Sequence, residues 1–139
     1  MKNLSTCTPE EFLKQTVRIK RAAEKWLSAT DIINIRKNIP EFEEIGADMN
    51  TEQKAEIYAE NKRRRSEQAM ANLSKIIDAI AEEHPAETLE LLALVCFVEP
   101  KDVNKHLMGE YLESITEMIT DQAVIGFFTS LARLGQMRI

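Results

Sequence analysis

The 139-residue sequence predicts an all-α fold, a compact bundle of six or seven helices with a long middle helix that can project from it. Apolar residues recur at three- and four-residue steps through most of the chain, which is the period of an α-helix. Four Gly and four Pro leave few turns for a β-sandwich or a barrel. The length is that of one domain, so residues 1–139 are expected to form a single helical domain.

The first predicted element is an amphipathic helix over residues 8–27. Thr8 can cap its N-terminus, Pro9 fits the first helical position, and Glu11 completes a T-x-x-E capping box. The apolar stripe of this helix consists of Phe12, Thr16, Ile19, Ala23 and Trp26, and it is widened by Leu13, Val17 and Leu27. The opposite face is basic and carries Lys14, Arg18, Lys20, Arg21 and Lys25. This pattern predicts a helix that buries one side and exposes the other.

A shorter helix and an acidic connector are expected next. In "SATDIINIRKNIP", Ser28 or Thr30 can cap a helix that Pro40 ends. A strand is the minor alternative here, because isoleucine slightly lowers helix propensity. Residues 41–50 have no sustained period, and they are predicted to form the connector.

Residues 51–83 contain no helix breaker and predict one long helix, capped by Asn50 or Thr51. Such a helix measures about 50 Å at 1.5 Å per residue. Its first half has almost no apolar face, whereas its second half carries Ala69, Leu73, Ile76, Ile77 and Ile80 at helical spacing. The first half is therefore expected to project into solvent or to rest against a partner.

A helical core is predicted over residues 85–136. Pro85 starts a helix that ends before Pro100, and the second half of this helix is apolar on all sides. A helix of that kind is expected to be buried on every side. A short helix ending near Gly109 should follow it, and then a helix that turns inward Leu112, Ile115 and Ile119.

The last predicted helix lies in "TDQAVIGFFTSLARLGQ", where Thr120 is expected to act as the cap and Gly135 as the terminating residue. Its apolar arc is wider than one contact requires. We expect Val124 and Leu131 to face the core, and the edge formed by Phe128 and Ala132 to lie at a protein contact.

Residues that usually carry catalysis are few and scattered. His84 and His106 are the two histidines, and neither is expected to have a ligand partner at the i, i+4 spacing of a metalloenzyme helix. Asp102 precedes His106 by four residues, but two potential ligands do not make a metal site. Cys7 and Cys96 lack CxxC spacing and a nearby histidine. No catalytic residue, metal site or cofactor is predicted, and the protein is expected not to be an enzyme.

Two further features predict a cytoplasmic protein. "MKNLSTCTPEEF" contains no apolar signal-peptide region, and two isolated cysteines are typical of a reduced compartment. The longest apolar run, "LLALVCFV", has eight residues, whereas a membrane-spanning helix needs about 20. No membrane association is predicted.

Charge is unevenly distributed along the chain, whose net charge is −5. Residues 1–40 carry a net +4, whereas residues 41–83 and 84–139 carry −5 and −4. The acidic body disfavours nucleic-acid binding, which depends on clustered cations. The one concentrated basic run is Lys62, Arg63, Arg64 and Arg65. A solvated helix surface is the favoured interpretation of this run, and a docking patch for an acidic partner or RNA is the alternative.

Three segments together resemble the small tail assembly chaperones of long-tailed bacteriophages and prophages of Gram-positive bacteria. They are "EEFLKQTVRIKRAAEKWL", "LLALVCFVEP" and "VIGFFTSLARLGQ". The resemblance implies a non-enzymatic, mostly helical protein that binds the tape measure protein, keeps it soluble, and helps tail tube subunits to polymerise around it. Two alternatives remain open. One is a small helical nucleic-acid-binding regulator that uses the basic face of the first helix and the run Lys62 to Arg65, and the other is a structural tail or capsid component.

A chaperone for a helical client needs an accessible apolar surface. The candidate partner-binding residues are Phe12, Trp26, Leu27, Phe127, Phe128, Leu131 and Leu134. Trp26 has the competing interpretation of a core anchor. The long polar helix offers a route to self-association, so a homo-oligomer is a further partner hypothesis.

Overall fold

The computed structural model describes residues 1–136, and within that range every regular element is helical and no strand occurs. The all-α prediction is confirmed. Six α-helices, a π-helical turn and a 3₁₀ turn follow one another as α1 Pro9–Thr30, α2 Ile32–Arg36, α3 Thr51–Asp78, the π turn Ala79–Glu83, α4 Pro85–Val95, the 3₁₀ turn Pro100–Lys105, α5 Met108–Thr120 and α6 Gln122–Gln136.

The contacts of the chain group its residues into two compact units. The first unit contains Met1–Trp26 together with the chain from Ala86 onward, and the second contains Leu27–Pro85. The single domain expected from the length of the chain stays a prediction.

The start of α1 forms as its sequence predicts. The Glu11 amide donates to Thr8 Oγ1 (3.3 Å), and the Thr8 amide donates to Glu11 Oε1 (3.1 Å). Lys2 also pairs with the Glu11 carboxylate. The hydrogen bond from Lys2, followed by those from Thr8, lowers the pKa of Glu11 to about 2. The predicted capping box is therefore confirmed, and Lys2 reinforces it.

The end of α1 differs from the prediction. The helix runs to Thr30, so Ser28 and Thr30 are helical residues and neither caps the next element. Asp31 ends α1 in the left-handed region, with φ 55°, and its carbonyl accepts the Ile35 amide at 3.1 Å to begin α2. Asp is among the few residues that adopt this conformation at low cost, since its short polar side chain can bond locally.

The core of the first unit lies where α4, the 3₁₀ turn and α5 meet. Its buried members are Ala93, Cys96, Val103 and Tyr111. The Tyr111 hydroxyl donates to the Val103 carbonyl at 2.7 Å, which satisfies both buried groups. Burial raises the pKa of the Cys96 thiol, so this cysteine acts as a small apolar side chain.

The C-terminus of α4 is closed by a Schellman motif. The Phe97 amide donates to the Leu94 carbonyl (3.2 Å) and the Val98 amide to the Ala93 carbonyl (2.9 Å). Phe97 has φ 56° at the position where glycine is usual. The buried Gln15 side chain of α1 donates to the Leu94 carbonyl at 2.6 Å. Chain reversal before Pro100 is therefore set by hydrogen bonds, as well as by proline.

The prediction that α4 is buried on every side is wrong for part of the helix. Ala93 and Leu94 are buried, but Leu91, Leu92 and Val95 are half-buried. The helix is covered by α1 and the core, while its remaining side lines a groove described below.

The inward face predicted for α5 is wrong in part: Ile115 is half-buried and packs against the core, as predicted. Leu112 and Ile119 are 55% and 57% exposed, whereas Tyr111 and Ser114 are buried. Ser114 accepts a hydrogen bond from the buried Asn3 side chain through Oγ at 3.0 Å. The aromatic ring and this polar contact thus select the buried face of α5, and Leu112 and Ile119 are left exposed.

Three boundary residues of the last helices differ from their predicted roles. Gly109 lies in the first turn of α5 and does not end a helix. Thr120 is the last residue of α5, and Asp121 caps α6 by accepting the amides of Ala123 (2.9 Å) and Val124 (3.1 Å) at Oδ1. Gly135 is helical and has no positive φ, so it does not form the predicted left-handed end.

In the second unit, the connector lies along α3. The Glu43 amide donates to Asn61 Oδ1 (3.0 Å), and Asn61 Nδ2 donates to the Glu43 carbonyl (3.1 Å). Asn72 Nδ2 donates to the Asn38 carbonyl at 3.0 Å. The polar side of α3 therefore rests on its own chain, and the expected projection of its first half into solvent is corrected for this side of the helix.

The start of α3 agrees with the prediction that Asn50 can cap it. Asn50 Oδ1 accepts the Gln53 amide at 2.8 Å, and Gln53 Oε1 accepts the Asn50 amide at 3.0 Å. The helix continues into the π turn, where the His84 amide donates to the Ala79 carbonyl at 2.9 Å. The long helix predicted over residues 51–83 is thus present without interruption.

Candidate functional site

An aromatic cluster joins the first and last helices of the first unit. The Phe12 ring meets the edge of Phe127 at a centroid distance of 5.1 Å and stacks against Phe128 at 6.0 Å. Phe127 and Phe128 are themselves 5.3 Å apart. Three of the seven predicted partner-binding residues are therefore brought together, although more than 110 positions separate Phe12 from the other two.

The α6 face is the apolar side of α6 that extends from this cluster, and it comprises Ile125, Phe127, Phe128, Leu131 and Leu134. These side chains are 36–63% exposed, and no residue of α6 is buried. The opposite side of the helix is polar and includes Gln122, Thr129 and Arg133. The amphipathic helix predicted from sequence is present, but its apolar side meets solvent.

The predicted orientation of α6 is therefore wrong in part. Val124 is half-buried against the first unit, whereas Leu131 is exposed and does not face the core. Phe12 contacts α6 at Phe127 and Phe128, whereas Leu131 and Leu134, further along the helix, are 45% and 63% exposed. The expected contact at Phe128 and Ala132 stays a prediction.

A groove of about 380 Å³ opens beside the start of the α6 face. One carboxylate, that of Asp121, lies in its otherwise mainly apolar lining. The apolar lining consists of Leu4, Pro9, Phe12, Leu13, Ala123, Val124 and Phe127. This groove continues the α6 face onto the N-terminal segment and the first turn of α1.

The other predicted partner-binding residues lie elsewhere. Trp26 is half-buried, and its Nε1 donates to Thr88 Oγ1 at 2.9 Å, so its indole is held by α4. Leu27 is half-buried and belongs to the second unit. These two residues therefore do not extend the α6 face.

Sequence reasoning missed a second apolar groove in the first unit. It has a volume of about 350 Å³ and is lined by Trp26, Thr88, Leu91, Leu92, Val95, Met108, Ile115 and Met118. The signal was present in the apolar stripe of α5, which was assigned to the core. An amphipathic helix, such as α5, that follows a helix with apolar residues on all sides, such as α4, is the sequence pattern that indicates such a groove.

The basic run on α3 is largely neutralised within the second unit. Arg63 and Arg64 both pair with Glu60, at 2.5 Å and 3.2 Å. These hydrogen bonds, that of Arg63 first, lower the pKa of Glu60 to about 2. The Arg65 guanidinium lies 5.5 Å from the centre of the Phe42 ring. Because three of the four cations have intramolecular partners, a solvated helix surface remains the favoured interpretation.

Titratable groups form no recognisable catalytic set in the described chain. His106 Nδ1 lies 3.3 Å from Glu110 Oε2, an i, i+4 pair that the sequence analysis overlooked. Burial raises the pKa of the Cys7 thiol, which opposes nucleophilic reactivity. Among residues 1–136, no cluster of three or more His, Cys, Asp or Glu has a metal-binding arrangement. Within the same residues, no helix combines the length and apolar character needed to cross a bilayer.

Comparisons of the chain with protein-family models, with curated proteins and with solved structures found no match.

Proposed function

We propose that this protein is a non-enzymatic tail assembly chaperone of a long-tailed phage or prophage, and that it binds the tape measure protein in the host cytoplasm during tail morphogenesis. The tail tube protein is a second proposed partner. The observation that carries the proposal is the α6 face, an amphipathic helix without a buried residue. The resemblance of three segments to that class of chaperone supplies the identity of the client.

An exposed apolar helix face is suited to a long helical client. Large apolar side chains in a row are costly to leave in water, at about 25 cal/mol for each Å² of apolar surface. A client helix laid along them removes both apolar surfaces from water at once. Phe127 and Phe128 are held by Phe12, so part of the binding surface is already ordered before the client arrives.

The contacts give less support to a nucleic-acid-binding regulator. That function would need free clustered cations, whereas Arg63, Arg64 and Arg65 have intramolecular partners. On the basic face of α1, Arg18 pairs with Glu99 at 3.2 Å and Lys25 with Glu90 at 3.1 Å. These surface pairs can open, but their cations are partly neutralised before any phosphate approaches.

The proposal is tested by co-expression with the long, largely helical protein that is encoded beside this one. We expect the client to become soluble and to co-purify with the chaperone. Leu131→Asp should abolish capture, because it places a charge in the middle of the α6 face. Ile39→Asp is the matched control, since Ile39 is an exposed apolar residue of the second unit.

Two outcomes would contradict the proposal. The first is an insoluble client with no captured complex, and the second is equal capture by the Leu131→Asp variant. A structural tail component makes a different prediction, since it would be present in purified virions, from which an assembly chaperone should be absent.

A further inference from the structure

We propose that the groove beside the α6 face binds an amphipathic helix that carries a lysine or arginine next to its apolar anchors. The inference rests on the proposed function and deepens it, because it names the chemistry of the client segment. It follows from the apolar lining of the groove combined with two carboxylates that have no cation among residues 1–136.

The apolar part of the site has the dimensions of a helix-binding surface. Leu4, Pro9 and Leu13 line one wall of the groove, and Val124 lines the other. Leu131 and Leu134 continue the apolar surface along α6. The 15 residues of α6 extend for about 22 Å at 1.5 Å per residue, which matches a client helix of about four turns.

The first carboxylate belongs to Asp121, which lines the groove. Its Oδ1 accepts the amides of Ala123 and Val124, and no hydrogen bond to its Oδ2 occurs within the described chain. The second carboxylate belongs to Glu117, one helical turn earlier. Its Oε1 lies 3.4 Å from the hydroxyl of Ser5, which also lines the groove. Glu117 also lines a neighbouring groove with Met1 and Glu113, so its carboxylate lies at the border between the two grooves, next to Ser5.

Among residues 1–136 no cation forms an ion pair with either acid, and Met1, which bears the amino terminus, lines the neighbouring groove on the side of Glu117. Lys2 pairs with Glu11, and Lys14 pairs with Glu10 at 2.9 Å. Each lysine is thus matched by a carboxylate on α1. On α6 the one charged residue is Arg133, which lies on the polar side of the helix. The end of the groove at Asp121 consequently keeps a negative charge.

The α6 dipole weakens this charge but does not cancel it. A helix N-terminus carries about half a positive charge, and Asp121 caps that end of α6. About half of one carboxylate charge and the whole of Glu117 remain. A client cation at this rim would gain a modest, salt-sensitive attraction, whereas a client carboxylate would be repelled.

A second copy of the chain fits the groove less well. In a two-fold interface the same patch meets itself, so Asp121 and Glu117 of one copy would approach those of the other. Like charges opposed in this way disfavour self-pairing, whereas a basic amphipathic helix compensates them. The charge of the rim therefore favours a client helix over a dimer.

The test uses two fluorescent helical peptides and the full-length protein. The peptides share one face of Leu and Phe at i, i+3, i+4 and i+7, and they differ in having Lys or Glu beside that face. We expect the Lys peptide to bind roughly fivefold more tightly at low salt, the size expected for partly exposed ion pairs. The preference should disappear at about 1 M salt, where the Debye length is about 3 Å.

Two conservative variants test the named carboxylates. Asp121→Asn keeps a capping side chain, because Asn is as good an N-cap as Asp, but removes the charge. Combined with Glu117→Gln, it should abolish the preference for the Lys peptide without weakening the Glu peptide. Glu56→Gln is the matched control, because Glu56 is an exposed carboxylate of the second unit.

Three outcomes would overturn the inference. They are equal binding of the two peptides, tighter binding of the Glu peptide, and a dimer that Leu131→Asp dissociates and that neither peptide displaces. The proposed function fails separately: capture of the tape measure protein without a charge preference keeps the function and removes the inference. A clear preference for the Lys peptide without capture of the tape measure protein would keep the inference and remove the proposed function.

Discussion

Two helices of the first unit, α4 and α6, are both rich in apolar residues but have opposite surroundings. Leu94 of α4 is 4% exposed, and its carbonyl accepts the Gln15 side chain. Leu134 of α6 is 63% exposed. Contacts at Trp26–Thr88 and Lys25–Glu90 further attach α1 to α4. By comparison, α1 contacts α6 through the ring of Phe12, which packs against Phe127 and Phe128.

The difference teaches that amphipathicity predicts a face that must be covered, but does not identify what covers it. For α4 the cover is α1 and α5 of the same unit. For α6 the apolar side chains from Ile125 to Leu134 are all 36–63% exposed. An apolar face that remains exposed in this way is the expected property of a helix whose partner is another molecule.

The largest effect should come from Leu94→Ala in α4. Removing a buried leucine costs about 2–5 kcal/mol of unfolding free energy, through lost apolar burial and the cavity that remains. Urea denaturation monitored by circular dichroism would measure this loss. A loss below about 1 kcal/mol would mean that Leu94 of α4 does not lie in a tightly packed core.

A smaller loss of stability is expected when acid protonates Glu11, which is next to Phe12, the α1 residue whose ring contacts α6. Lys2 and Thr8 lower the pKa of Glu11 to about 2, from an ordinary value of 4.5. The contribution of Glu11 is therefore complete above pH 4.5 and should be lost as the pH falls towards 2. Thermal unfolding as a function of pH should show this decline.

Glu11→Gln isolates that contribution. Glutamine can keep the capping box but cannot ionise, so its variant should show a shallower decline in stability across the same pH range. An unchanged slope would mean that other carboxylates, such as Glu60 of the second unit, dominate the acid response.

The smallest effect on stability should come from Leu134→Ala, the same substitution as Leu94→Ala but on α6. Because Leu134 is mostly exposed, we expect a change within about 0.5 kcal/mol. Capture of the client should nevertheless weaken. A loss comparable to that of Leu94→Ala would place α6 in the core and remove the contrast between the two helices.

Local chemistry made several features predictable. The Thr8–Glu11 capping box and the Asn50 cap depend on residues within three positions of one another. The choice between neighbouring caps was less predictable: Thr120 and Asp121 can both cap a helix, and Asp121 does so because α5 includes Thr120. The Thr120 hydroxyl does not cap α6 and instead donates to the Thr116 carbonyl at 2.7 Å.

The candidate site was predictable in composition but not in arrangement. Phe12, Phe127 and Phe128 were recognised as partner-binding candidates, and they form one cluster. Trp26 was grouped with them because it lies on the same stripe of α1, but Thr88 holds it at another groove. A stripe identifies the residues of one helix face, whereas the neighbours along that face change from turn to turn.

By itself, the sequence determined the helical class, the long uninterrupted α3 and the amphipathic character of α1 and α6, because these depend on short-range periodicity and capping. Only the tertiary structure decided which apolar faces are covered. That choice depends on contacts between distant residues, such as Asn3 with Ser114 and Gln15 with Leu94. Such pairs compete for the same interior, and among the described residues Leu112 and Ile119 of α5 and the α6 face are apolar surfaces that the interior of the first unit leaves exposed.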